Sequence, residues 1–438
     1  MKDTPINYGI VKSKIEESKL PAVGKASIRE IKRLIDNIET ESGQKFVRME
    51  MGVPGIPASK IGVDAQKAAL DRGVAAIYPD IDGVPALKNE ISRFVKLFLN
   101  ADVSPVNCIP TVGSMQGCFA SFMTVSRLNE SKDTILFMDP GFPVHKLQCK
   151  VLGVKHESFD VYNYRGEKLR EKLESIFQKG NIAGVLFSNP NNPSWICFTD
   201  NELRIIADLS IKYNVVVLED LAYFGMDFRK DYSQPGVEPY QPSISKYTDN
   251  YILFISSSKA FSYAGERIGM MVISDKLFQV QAPGLLRYYN SDIFGRAMIF
   301  GTVYSLSSGT SHSAQYALAA ILKAANDGVY DFRHDVMEYG EKAKIMKKYF
   351  TDNGFHIVYD KDENDPIADG FYFTFSYPGF SGERLLEELL YYGISAISLS
   401  ITGSEKIEGM RACVSLVHRN QFPDLEYRLQ KFNEHHKS

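Results

Sequence analysis

The stretch Tyr251-Ile-Leu-Phe-Ile-Ser-Ser-Ser-Lys259, followed by Ala-Phe-Ser-Tyr-Ala-Gly265-Glu-Arg267-Ile-Gly269, opens on an unbroken apolar run and closes on a lysine, a glycine-bearing turn and an arginine. A short run without polar alternation reads as a strand buried on both faces. The same texture recurs at residues 134–138, 184–187, 215–218 and 269–273. Between the runs lie segments of helical spacing, such as 201–213, where Leu203, Ile206, Leu209 and Ile211 sit among charged residues. Strands alternating with crossover helices predict an α/β fold around a mostly parallel central sheet flanked by helices. After about residue 320 the pattern changes to a long helical stretch, the alternating segment 371–375, a charged helix at 381–392 and an apolar strand at 411–417. That texture predicts a smaller α+β domain.

Composition narrows the function classes. A chain of 438 residues, 44% hydrophobic and 12% aromatic, can bury a core large enough for two domains. Its 50 basic and 53 acidic residues give a net charge of −3, which offers nucleic acid and anionic membranes no electrostatic footing and points to small-molecule substrates. The five cysteines are scattered, odd in number and never spaced as Cys-x-x-Cys, a usage that fits a reducing cytoplasm without structural disulfides or metal. The first residues mix acidic and basic side chains without an apolar signal region, and no stretch approaches the roughly 20 apolar residues a membrane span needs. A soluble, cytoplasmic protein is expected.

Open parallel sheets gather ligand groups where their strands end, so the residues just after the apolar runs carry the functional reading. Lys259 ends one such run. In a partly desolvated cleft its amine would become a nucleophile toward an aldehyde; a solvated loop lysine is the plainer alternative. Ser256, Ser258 and Arg267 flank it with donors suited to a phosphate. The turn Thr111-Val-Gly113-Ser114-Met115-Gln-Gly117 opens a helical stretch, where backbone N–H groups and the helix dipole favour an anion, although such turns also serve simply as caps. Neither a Walker A pattern nor Gly-x-Gly-x-x-Gly is present, which lowers nucleotide readings. At the ends of two further runs stand Ser188-Asn-Pro-Asn-Asn192-Pro193 and Leu218-Glu-Asp220-Leu-Ala-Tyr223. Asp220 could pair with a pyridine nitrogen, and Asn192 and Tyr223 could hydrogen-bond a ring oxygen; a rigid turn and a helix cap are the structural alternatives.

The ordered set Gly113-Ser-Met-Gln, Asn192-Pro, Asp220-x-Ala-Tyr223, Ser256-x-x-Lys259 and Gly265-x-Arg267-x-Gly269 resembles the class I/II aminotransferases, fold-type I enzymes of the aspartate aminotransferase superfamily that use pyridoxal 5′-phosphate (PLP). The resemblance runs from about Met49 to Arg411. It implies a large PLP-binding domain over 49–318, a small α+β domain over 319–438, and an arm at 1–48 that belongs partly to the small domain. It implies that Lys259 holds PLP as a Schiff base and, with Asp220 and Tyr223, forms the catalytic set. Asp220 would pair with the pyridine nitrogen, Asn192 and Tyr223 would donate to the phenolic oxygen, and Phe142 would stack on the ring. Gly113, Ser114, Met115, Ser256 and Arg267 match the phosphate cradle, and Tyr78 the residue that reaches the phosphate of a neighbouring subunit, which implies a homodimer. Gly52, Asn192 and Arg411 match the substrate site, with Arg411 clamping the α-carboxylate through a planar fork.

The activity so implied is transfer of an amino group from an L-amino acid to a 2-oxo acid by a ping-pong mechanism, in amino-acid metabolism or biosynthesis. A PLP-dependent lyase or β-decarboxylase uses the same early chemistry. A non-catalytic PLP-binding regulator would call for a DNA-binding module, for which the arm before Met49 offers no room. The sequence departs from the family pattern where Trp195 replaces a common glycine in Asn-Pro-Ser-Trp and where Leu221 follows Asp220. His145 and His312 fall near the expected site without an assigned role.

Overall fold

The computed structural model describes residues 3–437. Its larger sheet comprises β1 (Cys108–Thr111), β2 (Thr134–Asp139), β3 (Lys155–Asp160), β4 (Ile182–Ser188), β5 (Val216–Leu221), β6 (Tyr251–Ser256) and β7 (Gly269–Ile273), in the spatial order β1-β7-β6-β5-β4-β2-β3. Neighbours from β3 through β6 are parallel, while β7 runs antiparallel to both β6 and β1. This is the mostly parallel sheet expected from the sequence. All residues of β2, β4, β5, β6 and β7 are buried, which is why these strands read as continuous apolar runs.

Two strands escaped the apolar pattern. The edge strand β3, Lys-His-Glu-Ser-Phe-Asp, is solvated over much of its length, and β1 is only four residues long and contains Pro110. Helix Asp200–Tyr213 begins with a capping box in which Thr199 accepts from the N–H of Glu202 at 3.3 Å and Glu202 accepts from the N–H of Thr199 at 3.0 Å.

The second sheet is antiparallel, built from β8 (His356–Ile357), β9 (Tyr372–Ser376), β10 (Ile397–Ser398) and β11 (Met410–Cys413) in the order β10-β11-β9-β8. Ile31, Leu34, Ile35 and Ile38 of helix Ile28–Ser42 share its core with Val336, Met346, Phe350 and Phe375. The long helical stretch expected after residue 320 is two helices, His312–Asn326 and Phe332–Asp352, separated by a turn containing Gly328 at φ 70°. The first runs through the expected division at 318/319 and buries Ala314, Leu318, Ile321 and Leu322 in the core beneath the large sheet. The chain passes to the small domain in the turn that follows it. Among the described residues, no helix is long and apolar enough to cross a membrane, and all five cysteines are buried free thiols.

Candidate active site

Parallel strands end at one edge of the sheet, and β7, running the other way, begins there. Register places Ser188 beside Asp220, and Gly269 beside both Ser256 and Thr111. A cavity of about 490 Å³ opens at this edge. Ser114, Met115, Phe142, Asn192, Asp220, Tyr223, Ser256, Lys259 and Arg267 line it from the large domain, and Gly52 and Arg411 line its opposite side.

On the cradle side, helix Gly113–Val125 starts directly after β1, and the side chain of Gln116 accepts from the N–H of Val112 at 2.8 Å. Gly113 has φ 64°, and a Cβ there would fall 2.6 Å from Arg267 Nη2. Glycine is therefore required for the helix start to approach the guanidinium. A Cβ on Gly269 would likewise fall 2.9 Å from the backbone nitrogen of Ser114. These close approaches bring Arg267, the hydroxyl of Ser256 and the free N–H groups of a helix N-terminus to one end of the cavity, a donor set suited to a phosphate.

In the middle lie the titratable groups. Burial pushes the Asp220 carboxyl up to about 6, against the opposing effects of the Ala222 N–H, which it accepts at 3.1 Å, and of Lys259. Burial draws the Lys259 amine down from its ordinary value, with Asp220 pulling it back. The ammonium lies 5.8 Å from the centre of the Tyr223 ring. Phe142 precedes helix Pro143–Leu152 and meets His145 edge-on at 5.5 Å. Burial lowers His145 to about 4, so this cavity-lining ring is neutral near pH 7 and supports Phe142 as an aromatic wedge.

On the far side, Arg411 projects from β11 and is 2% exposed. Its Nη2 donates to the Glu50 carbonyl at 2.6 Å and its Nη1 to Asn192 Oδ1 at 3.3 Å, while Nε has no partner. The guanidinium lies over the Tyr372 ring, 4.5 Å from its centre. A Cβ on Gly52 would fall 2.0 Å from Tyr372 Oη, so glycine is needed there as well.

Tyr78 is not in this cavity. It is 91% exposed and lines a separate surface groove of about 630 Å³ together with His312, whose Nδ1 lies 3.0 Å from the Ile77 carbonyl oxygen. Residue-by-residue reading missed three contributors. Tyr372 hydrogen-bonds Tyr223 through their hydroxyls at 2.8 Å. Ile28 and Arg29, from the first turn of helix Ile28–Ser42, form part of the cavity wall. The capping box Ser27-x-x-Glu30 marks that helix start in the sequence, but nothing local says which cavity it faces.

Comparison with known proteins bears on the family and the fold. The chain is 27% identical to a probable aspartate aminotransferase of Methanocaldococcus jannaschii, over 72% of its own length and 79% of the relative's. It is 24% identical to the (5-formylfuran-3-yl)methyl phosphate transaminase of the same organism, over 93% and 95%. The solved structure of a Thermus thermophilus aspartate aminotransferase double mutant superposes with a TM-score of 0.73, covering 96% of this chain and 98% of that one at 16% identity. The family Aminotransferase class I and II matches residues 55–362, and the chain belongs to it.

Proposed function

We propose that the cavity binds PLP through Lys259 and transfers an amino group from an L-amino acid to a 2-oxo acid in a ping-pong cycle. The observation that carries this is the meeting, in one buried site, of a desolvated lysine, a carboxylate on the neighbouring strand and an arginine from the other domain. The donor set fits the cofactor. Ser256, Arg267 and the N–H groups of Ser114 and Met115 suit its phosphate, Asp220 its ring nitrogen, Asn192 and Tyr223 its ring oxygen, and Phe142 its face. When bound, PLP supplies an aldehyde and a ring that accepts electrons.

The chain's residues do the rest. Arg411, held by Glu50 and Asn192, lines the cavity where its guanidinium suits a substrate carboxylate, through a planar fork that a lysine would not reproduce. Lys259, its amine less basic through burial, is suited to take a proton from the substrate's α-carbon and return it nearby. Asp220, paired with a positive ring nitrogen, would be held as the carboxylate, the reverse of its tendency when alone. The exposed Tyr78 is read as reaching the phosphate site of a second copy, so that the working unit is a homodimer.

The test is to incubate the PLP-loaded protein with isotopically labelled amino acids and a 2-oxo acid. Labelled nitrogen in the new amino acid, parallel double-reciprocal plots and loss of both in Lys259→Ala are expected. Release of ammonia or carbon dioxide without nitrogen transfer would overturn the reading.

A further inference from the structure

Tyr372 is 2% exposed and lies in the cavity wall between Tyr223, Gly52 and Arg411. Its hydroxyl sits 2.8 Å from that of Tyr223, and among the described residues no other hydrogen bond of Tyr372 is present. Two buried phenols thus share one hydrogen bond, which consumes one of their two protons and leaves the other to point into the cavity. Which proton is left decides what the site can do.

Three features favour Tyr372 as the donor of the shared bond. Arg411 lies 4.5 Å from the centre of the Tyr372 ring, and a positive charge there favours proton donation by that phenol. Burial raises both phenols, and Arg411 opposes the rise most directly at Tyr372. The space beside Tyr372 Oη is taken up by the Gly52 backbone, close enough that even a Cβ would collide, whereas Tyr223 stands next to Lys259. We propose that Tyr372 is a positioning residue whose hydroxyl donates to Tyr223, turning the remaining Tyr223 proton toward the cofactor's ring oxygen and strengthening it as a donor. The inference rests on the reading of Lys259 and Tyr223 given above.

The consequence is measurable without turnover. The ring oxygen carries more negative charge when the imine nitrogen linking PLP to Lys259 has lost its proton. A stronger donor at that oxygen therefore favours the unprotonated imine and lowers the pH at which the absorbance band changes. Chains of hydrogen bonds strengthen one another by a modest fraction, so Tyr372→Phe, which keeps the ring contacts with Arg411 and Trp195, should raise that midpoint by about half a pH unit.

The experiment is a spectroscopic pH titration of the PLP-loaded protein, of Tyr372→Phe, of Tyr223→Phe and of the double variant. A rise in Tyr372→Phe that disappears when Tyr223 is already phenylalanine is the expected result, because the hydroxyl acts through Tyr223. An unmoved midpoint in Tyr372→Phe, or an equal shift in both backgrounds, would overturn the inference and leave the reading of Lys259 standing. A wild-type protein that forms no band with PLP would overturn both.

Discussion

Trp195 stands where the family commonly has glycine, and its backbone shows why glycine suits the position. At φ 65° it adopts the left-handed conformation, which costs a residue with a side chain about 1–2 kcal/mol. The indole recovers this by burial, with 1% exposure and edge contacts to Tyr223 at 5.3 Å and Tyr372 at 6.1 Å. Trp195→Gly relieves the backbone but empties an indole-sized space, and removing a buried Trp side chain costs about 3–5 kcal/mol. A net loss of about 2–3 kcal/mol is expected in urea unfolding, with Tyr223 less firmly placed. Asp220 gives a pH signature. An aspartate in the unfolded chain releases its proton near about pH 4, whereas the buried Asp220 keeps it to about 6. Its contribution to the stability of the cofactor-free protein is therefore complete below about pH 4 and is lost as pH rises through about 6. Asp220→Asn removes that falling limb, on the order of 2–3 kcal/mol, and thermal unfolding from pH 4 to 7 checks it. Burial also lifts Glu219, to about 7, which leaves a smaller slope in the variant. Lys259, Asp220, Asn192 and Tyr223 were legible because each follows an apolar run within a few residues. Tyr372 was not, because its place in the site comes from packing between domains.

Strands and helices differ in how openly the sequence declares them. β2, β4, β5, β6 and β7 are buried on both faces and show as apolar runs, whereas β3 lies at the sheet edge and mixes Lys155, His156 and Glu157 into its length. The helices His312–Asn326 and Phe332–Asp352 blur together because both are periodic, and only the short turn at Gly328 separates their allegiance to different cores. Helix Ile28–Ser42 shows what tertiary placement adds. Its amphipathic face buries Ile31, Leu34, Ile35 and Ile38 in the small domain, and that docking brings its first turn, with the exposed Arg29, into the cavity wall. Arg29 makes no ion pair among the described residues, so it is available to an acidic substrate side chain. Arg29→Gln should raise KM for acidic amino donors about five- to tenfold, as expected for one partly solvated charged contact. It should leave KM for apolar donors within about twofold. Equal effects on both donor classes would assign Arg29 to the wall rather than to selection.

At the scale of the whole molecule, the site exists because two domains share it. Trp195 and Tyr223 come from the large domain yet pack within the small-domain core, and a Cβ on Gly370 would fall 2.0 Å from the Trp195 ring. Arg411 reaches the cavity from the small sheet, and the N–H of Cys413 in the same strand donates to the Met49 carbonyl at 2.8 Å, tying in the segment that leads to Gly52. Tyr78 lies outside the shared cavity, in a groove of its own. The groove that holds it also includes Val112, the residue before the cradle's Gly113, and Gln116 Nε2 donates to Ser307 Oγ at 2.6 Å between cradle and groove. The cradle therefore abuts a groove in which Ile77 and Tyr78 are 60% and 91% exposed. If Tyr78 serves the phosphate site of a second copy, the lesions of a Tyr78→Ala chain and a Lys259→Ala chain fall together in one site of a mixed dimer and leave the other site whole. One active site then pairs an intact lysine with an intact tyrosine from across the interface. Random mixing after mild dissociation would produce mixed dimers in half the population, each with one complete site, so about a quarter of wild-type activity should return from two impaired variants. Activity that never exceeds the average of the two separate variants would place Tyr78 outside the neighbouring site, whatever the oligomeric state. Recovery toward a quarter would show that each site draws on both chains, and would explain why Tyr78 stands exposed beside the phosphate cradle instead of packing into the core of its own chain.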